Sequence, residues 1–170
     1  MDIKSKIREV QDFPKEGINF KDITTLLKDK AAFQYVVDQM SKQLEDLEID
    51  IIVGPEARGF IMGTPVAYKI GAGFVPVRKP NKLPAETLSY EYELEYGTDS
   101  IEIHKDAIQK GQRVAIVDDL LATGGTVLAT TKLIEELGGE VVSINFLMVL
   151  SFLNGKDLLK NYKVESLIEY

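Results

Sequence analysis

Cysteine is absent from these 170 residues, histidine occurs once, and bases are in the minority, 20 Lys and Arg against 27 Asp and Glu. Without cysteine there is neither a disulfide framework nor a thiol nucleophile. The lone histidine, His104, falls on an alternating stretch with no nucleophile motif beside it, so nothing supports a serine-hydrolase triad or a zinc site. A net charge of −7 argues against non-specific binding to nucleic acid or to an acidic membrane surface. An acidic chain that binds a polyanion must gather its few bases close to one site. No apolar run approaches membrane length, and Met1-Asp2-Ile3-Lys4 lacks an apolar signal core, so a soluble, cytoplasmic protein is expected. Repeats, low-complexity tracts and Gly-, Ser- or Pro-rich linkers are missing too, which points to one domain over residues 1–170. What is present, 45% apolar and 28% charged residues, is an ordinary globular balance.

The most informative stretch is Val114-Ala115-Ile116-Val117-Asp118-Asp119-Leu120-Leu121-Ala122-Thr123-Gly124-Gly125-Thr126. Four small apolar residues read as a strand buried on both faces, as in a parallel sheet. They run into two adjacent carboxylates, a Thr-Gly-Gly-Thr turn and a helix from about Thr126. That helix places Val127, Thr131, Ile134 and Leu137 on one face and stops at Gly138-Gly139. Acids and glycines therefore meet at the carboxyl end of a strand and the amino end of a helix, where open α/β sheets bind ligands. Uncovered N–H groups and the positive end of the helix dipole suit a phosphate, and Thr123 and Thr126 add hydroxyl donors. Asp118 and Asp119 are acceptors suited to vicinal sugar hydroxyls. A phosphate cup one turn from a diol-binding acid pair describes a ribose 5-phosphate. The bland alternative is a buried strand followed by a solvated acidic turn.

Elsewhere the chain reads as follows. Residues 2–10 place Ile3, Ile7 and Val10 on one face of a short helix. Residues 30–47 form an amphipathic helix with Phe33, Val36, Val37, Met40, Leu44 and Leu47 inward. Ile49–Val53 is a strand followed by Gly54-Pro55-Glu56-Ala57-Arg58-Gly59 and a helix from about Gly59, a second anion-ready strand end. Arg58 offers a planar fork for phosphate, although a surface salt bridge is the common use of an arginine. Gly73–Val77 is a third strand, ending in Arg78-Lys79-Pro80-Asn81-Lys82-Leu83-Pro84, a loop with three bases in five residues. Gly71-Ala72-Gly73 begins like a dinucleotide fingerprint, but it precedes a strand instead of following one. Residues 87–96 alternate, with Leu88, Tyr90, Tyr92, Leu94 and Tyr96 on one face. Gly97 then turns the chain toward Ile101 and Ile103, giving an antiparallel ribbon joined to the sheet. Val141–Leu150 is another buried strand, 156–162 a short helix or turn, and Val164–Ile168 an edge strand.

The stretch Val114–Thr126 resembles the phosphoribosyl-diphosphate motif of the type I phosphoribosyltransferases. Gly54–Phe60 resembles their pyrophosphate loop, and Asp12–Ile23 and Leu94-Glu95-Tyr96-Gly97 are similar to segments of the adenine-using branch. The resemblance implies a mainly parallel α/β sheet of five or six strands flanked by helices on both faces. It adds a small N-terminal base-binding hood over about residues 1–30, and a mobile loop and ribbon over about 78–104. It places Phe20 on the purine face and the Lys21 backbone at its edge; by itself Phe20 would be ordinary core. Asp118, Asp119, Ala122, Thr123, Gly124, Gly125 and Thr126 would hold the ribose and its 5-phosphate. Glu56, Ala57, Arg58 and Gly59, with Arg78, Lys79, Lys82 and Tyr96, would hold the diphosphate. Glu95 would relay a proton at the base, and the 55–59 loop often carries a non-proline cis peptide in this family. The implied reaction is adenine plus 5-phosphoribosyl 1-diphosphate giving AMP and diphosphate. Magnesium would ride on the diphosphate without an assigned protein ligand, and a homodimer would let loop bases act across the interface. Transfer to another purine base, or a non-enzymatic nucleotide-sensing regulator, are the competing readings.

Overall fold

The computed structural model describes residues 1–94 and 97–170. The chain divides into two compact units, Met1–Gln39 and Met40–Tyr170. In the first, Lys4–Lys6 makes one 3-10 turn. Next, β1 (Arg8–Val10) pairs antiparallel with β2 (Phe20–Asp22). The helix expected over 2–10 is not formed. Its apolar spacing does mark burial, since Ile3 and Ile7 are both inside, but β2 supplies the backbone partners and draws residues 8–10 into a strand. Next come α1 (Thr24–Leu27) and α2 (Lys30–Lys42), which begins in the first unit and ends in the second. Val36 and Met40 are fully buried, as the spacing requires. However, α2 stops short of 47, because Leu44 and Leu47 donate to carbonyls three residues back and Glu48 takes a φ of 49°. Leu44 is still buried, carried inward by a turn instead of a helix.

The second unit contains β3 (Ile51–Pro55), α3 (Arg58–Ile70), β4 (Gly73–Val77), β5 (Thr87–Glu93), β6 (Thr98–His104), β7 (Arg113–Leu121), α4 (Gly125–Glu136), β8 (Glu140–Val149) and β9 (Val164–Glu169). Five of these form one parallel sheet in the order β4-β3-β7-β8-β9. Val114, Ala115, Ile116 and Val117 are all completely buried at its centre. Each large apolar side chain so placed contributes about 1.5–3 kcal/mol over an exposed one. The ribbon β5–β6 is a separate two-stranded sheet, not an extension of the parallel one. Among the described residues one isolated antiparallel bridge, Arg78 to Glu102, fastens it to the end of β4. Its alternation holds, with Leu88, Tyr90 and Tyr92 half-buried and Ser89, Glu91 and Glu93 exposed. Leu94 breaks the pattern: it lies beyond β5 and is 49% exposed.

This topology makes a crevice. From β3 the chain winds one way to β4, and from β7 it winds the other way to β8 and β9. Right-handed crossovers then place α3 and α4 on opposite faces. β3 pairs with β7 only as far as Val53 opposite Ile116. Beyond that point β3 turns away at Gly54-Pro55 while β7 runs on beside β8 to Leu121. Asp118 and Asp119 therefore sit on β7 where the neighbour on one side has gone. The gap lies at the switch in strand order, the ligand position of such sheets.

Candidate active site

A cavity of about 220 Å³ fills the gap, lined by Pro55–Arg58 from the first turn and Asp118–Val127 from the second. The phosphate turn is shaped by backbone lying on backbone. Gly124 has a φ of +89°, and a Cβ there would stand 2.8 Å from the Gly155 carbonyl oxygen. Conversely, a Cβ on Gly155 would lie 2.2 Å from the Ala122 oxygen, so neither position admits a side chain. Gly124 caps α4 without any side-chain hydrogen bond among the described residues, leaving the first N–H groups of the helix for an anion. Thr123 is exposed at the rim, and Thr126 Oγ1 lies 3.0 Å from the Tyr92 hydroxyl.

The two acids differ in setting. Asp119 is 2% exposed, whereas Asp118 keeps part of its surface open. The Asp119 N–H donates to Asp118 Oδ1 at 2.8 Å. Arg58, the first residue of α3, brings its Nε to 3.0 Å from Asp119 Oδ2. The contact is Coulombic, since among the described residues Oδ2 accepts no hydrogen bond. Gly59 permits this approach: a Cβ on it would meet Pro55 Cδ at 2.8 Å and Asp118 Oδ1 at 3.2 Å. Burial, reinforced by the Asp119 charge, pushes Asp118 well above the carboxylate range. Burial also raises Asp119, with the Arg58 guanidinium opposing it. The Glu56–Ala57 peptide bond in this turn is cis.

The basic loop is rooted in the same turn. Glu56 accepts Arg78 Nη2 and the Lys79 N–H, both at 2.8 Å, and those bonds hold its carboxyl below the usual range, the Lys79 N–H first. The Arg78 guanidinium also lies 5.9 Å over the Phe60 ring. So the Glu56 side chain is taken up in positioning the two bases. Lys79 pairs with Asp99, and Lys82 is exposed. Two expected residues, Glu95 and Tyr96, lie outside the described residues.

In the first unit, Phe20 packs edge-on against Phe13 at 5.2 Å and lines an apolar hollow of about 240 Å³ with Val10, Phe13 and Asp22. Lys21 is 8% exposed, and its ammonium donates to Glu9 at 2.7 Å. His104 Nε2 accepts the Ala85 N–H at 3.3 Å, a structural task.

Three participants escape a reading of the sequence: Tyr92, Asp99 and Gly155. Tyr92 and Asp99 face each other across the ribbon, a pairing that follows once the turn at Gly97 fixes the register. Gly155 is flagged only by the turn dipeptide Asn154-Gly155, and nothing local says that it abuts Ala122.

Comparison with known proteins adds the following. The family model described as phosphoribosyl transferase domain matches residues 22–168. An adenine phosphoribosyltransferase of Alkaliphilus metalliredigens is 76% identical over 170 residues, covering all of both chains. The crystal structure of adenine phosphoribosyltransferase from Thermoanaerobacter pseudethanolicus superposes with a TM-score of 0.97 at 63% identity, over 99% of this chain and 98% of that one. The Saccharomyces cerevisiae enzyme, solved with adenine and an imino-altritol bisphosphate, gives 0.92 at 42% identity, over 96% and 94%.

Proposed function

The chain belongs to the phosphoribosyltransferase family, and on that premise we propose how it carries out one reaction of purine salvage. Adenine displaces diphosphate from 5-phosphoribosyl 1-diphosphate, giving AMP. The observation that carries the mechanism is the single cavity shared by the Arg58 turn and the Asp118–Thr126 turn. The uncapped start of α4, with Thr123 and Thr126, holds the 5-phosphate. Asp118 and Asp119 accept the ribose hydroxyls. As the bond from C1 to the leaving oxygen breaks, positive charge grows on the sugar and negative charge on diphosphate. The acids favour the first, while Arg58, Arg78, Lys79 and Lys82 stabilise the second. N9 of adenine forms the new bond to C1, and Glu95 takes up the proton it loses. Tyr96 adds a hydroxyl at the diphosphate end.

Phe20 supplies the stacking surface for the base, and the Lys21 backbone its edge contact. Adenine, not a 6-oxopurine, is supported by the state of Lys21. An oxopurine site needs a donor to the ring carbonyl, and this ammonium is buried on Glu9. Magnesium would arrive with the sugar diphosphate and would add positive charge at the leaving group, beside Arg58 and the loop bases. Among the described residues no group of three or more His, Cys, Asp or Glu is placed to hold an ion. The enzyme works as a homodimer in the cytoplasm; no described helix is long and apolar enough to cross a membrane.

The test is a base panel of adenine, hypoxanthine, guanine, xanthine and orotate, each with the sugar diphosphate and magnesium. AMP from adenine, with little product from the others, is expected. Preference for hypoxanthine would move the enzyme to another purine, and no product from any base would favour a nucleotide-binding regulator.

A further inference from the structure

One carboxylate on the ribbon has no part in the reaction above, yet it holds a base that does. Asp99 on β6 lies directly opposite Tyr92 on β5. Its Oδ1 accepts the Ser100 N–H at 2.8 Å, and its Oδ2 accepts the Tyr92 hydroxyl at 3.3 Å. The same Oδ2 receives the Lys79 ammonium. Tyr92 in turn meets Thr126 Oγ1 at 3.0 Å, on the first turn of α4. A polar line therefore runs from a base of the 78–84 loop, through Asp99 and Tyr92, to a hydroxyl of the phosphate turn. Burial is the largest single influence on Lys79 and disfavours its charged form, but Asp99 and Tyr92 together outweigh it and leave the ammonium above its usual value. Lys79 is likewise the main reason that Asp99 stays below the carboxylate range.

The partners differ in freedom. Asp99 is pinned on a two-stranded ribbon by Ser100 and Tyr92, while Lys79 rides on a loop with a flexible four-carbon stem. A carboxylate fixed beside a mobile cation presents what a diphosphate oxygen would present. We propose that Asp99 is a built-in stand-in for the diphosphate: it holds Lys79 in the empty enzyme and releases it when the sugar diphosphate arrives. Asp99 is thus a positioning residue that acts through Lys79 and sets diphosphate affinity. This rests on the role given to Lys79 above. Apparent affinity falls by the fraction of time that the competent arrangement is unavailable. With the side chains of Lys79 and Asp99 43% and 31% exposed, the pair is partly solvated and weak, so the effect is about two- to fivefold.

Calorimetric titration with inorganic diphosphate tests this on wild type, Asp99→Asn, Asp99→Ser, Lys79→Ala and the Asp99→Asn/Lys79→Ala double variant. The amide is isosteric and can still accept from Ser100 and donate to Tyr92; Asp99→Ser, which also removes the charge, serves as a second variant. Lys79→Ala should bind diphosphate more weakly. Asp99→Asn should bind it about two- to fivefold more tightly, and most of that gain should vanish when Lys79 is already alanine. An unchanged or weakened affinity in both Asp99 variants, beside a weakened Lys79→Ala, overturns the stand-in alone. An equal gain with and without Lys79 also overturns it, leaving simple charge repulsion. Undiminished binding by Lys79→Ala overturns both the stand-in and the role of Lys79.

Discussion

Arg58→Ala removes the guanidinium that faces buried Asp119 across the cavity, so it should act on stability and turnover at once. At 3.0 Å from Asp119 Oδ2, Coulomb's law gives about 5 kcal/mol at an effective dielectric of about 20, and about 1.4 kcal/mol in water. Asp119 is nearly sealed, but the Arg58 side chain is 38% exposed, which moves the loss toward the lower figure, about 2 kcal/mol. In a chain of this length that corresponds to a fall of about 4–8 °C in Tm. The sign with pH follows from linkage. Asp118 and Asp119 are raised in the folded state, so their contribution is present below the unfolded value of about 3.9 and is lost as pH rises through the folded one. Arg58 limits that loss, and without it Asp119 rises further. The gap in Tm between wild type and Arg58→Ala should therefore widen from pH 5 to pH 7.5, because at acid pH the stranded carboxylate escapes by taking a proton. Differential scanning fluorimetry across that range reads it directly. A gap that is absent, or constant with pH, would refute the ion pair as the reason for the arrangement. Turnover should fall by about 10²–10³-fold, the usual cost of one preorganised donor.

Gly124→Ala should lower Tm and weaken AMP binding together, because it forces a side chain to φ +89° and to 2.8 Å from the Gly155 oxygen; unchanged binding by calorimetry would contradict the backbone-built phosphate turn. Glu95→Gln should reduce turnover more than affinity for the sugar diphosphate, and equal losses in both would count against a proton role. Chelating magnesium should abolish turnover yet leave Tm unshifted, since the ion belongs to the substrate; a marked fall in Tm would show a protein-held metal. Asp22, held at about 2 chiefly by the Thr24 N–H and then by the Thr24 hydroxyl and Arg8, stabilises above its unfolded value, and this is lost as pH falls through 2. Asp22→Asn should thus cost stability at pH 7 and progressively less from about pH 4 downward, as acid unfolding would measure.

Legibility in the sequence followed the range of the interactions. Val114–Thr126 could be read as strand, turn and helix because each signal is local: an apolar run, glycines, and a helical spacing that ends at Gly138-Gly139. The pairing of that turn with Arg58 was legible only as two separate anion-ready ends. Their meeting depends on strand order, which periodicity does not encode. Residues 2–10 misled for the same reason, since Ile3 and Ile7 carry a helical spacing while β2, a dozen residues away, decides the backbone. The ribbon's two faces were plain, but its attachment by one bridge at Arg78 was not. Nothing local to Asp99 announces its contact with Lys79, twenty residues away, which needs the fold.

The central claim, that the switch-point cavity holds ribose 5-phosphate, is tested most directly by a crystal structure with AMP bound. The phosphate oxygens should lie within about 2.7–3.2 Å of the N–H groups of Thr123–Thr126, with the ribose hydroxyls on Asp118 and Asp119. A phosphate seated away from the start of α4, or a ribose that leaves both acids untouched, would contradict it.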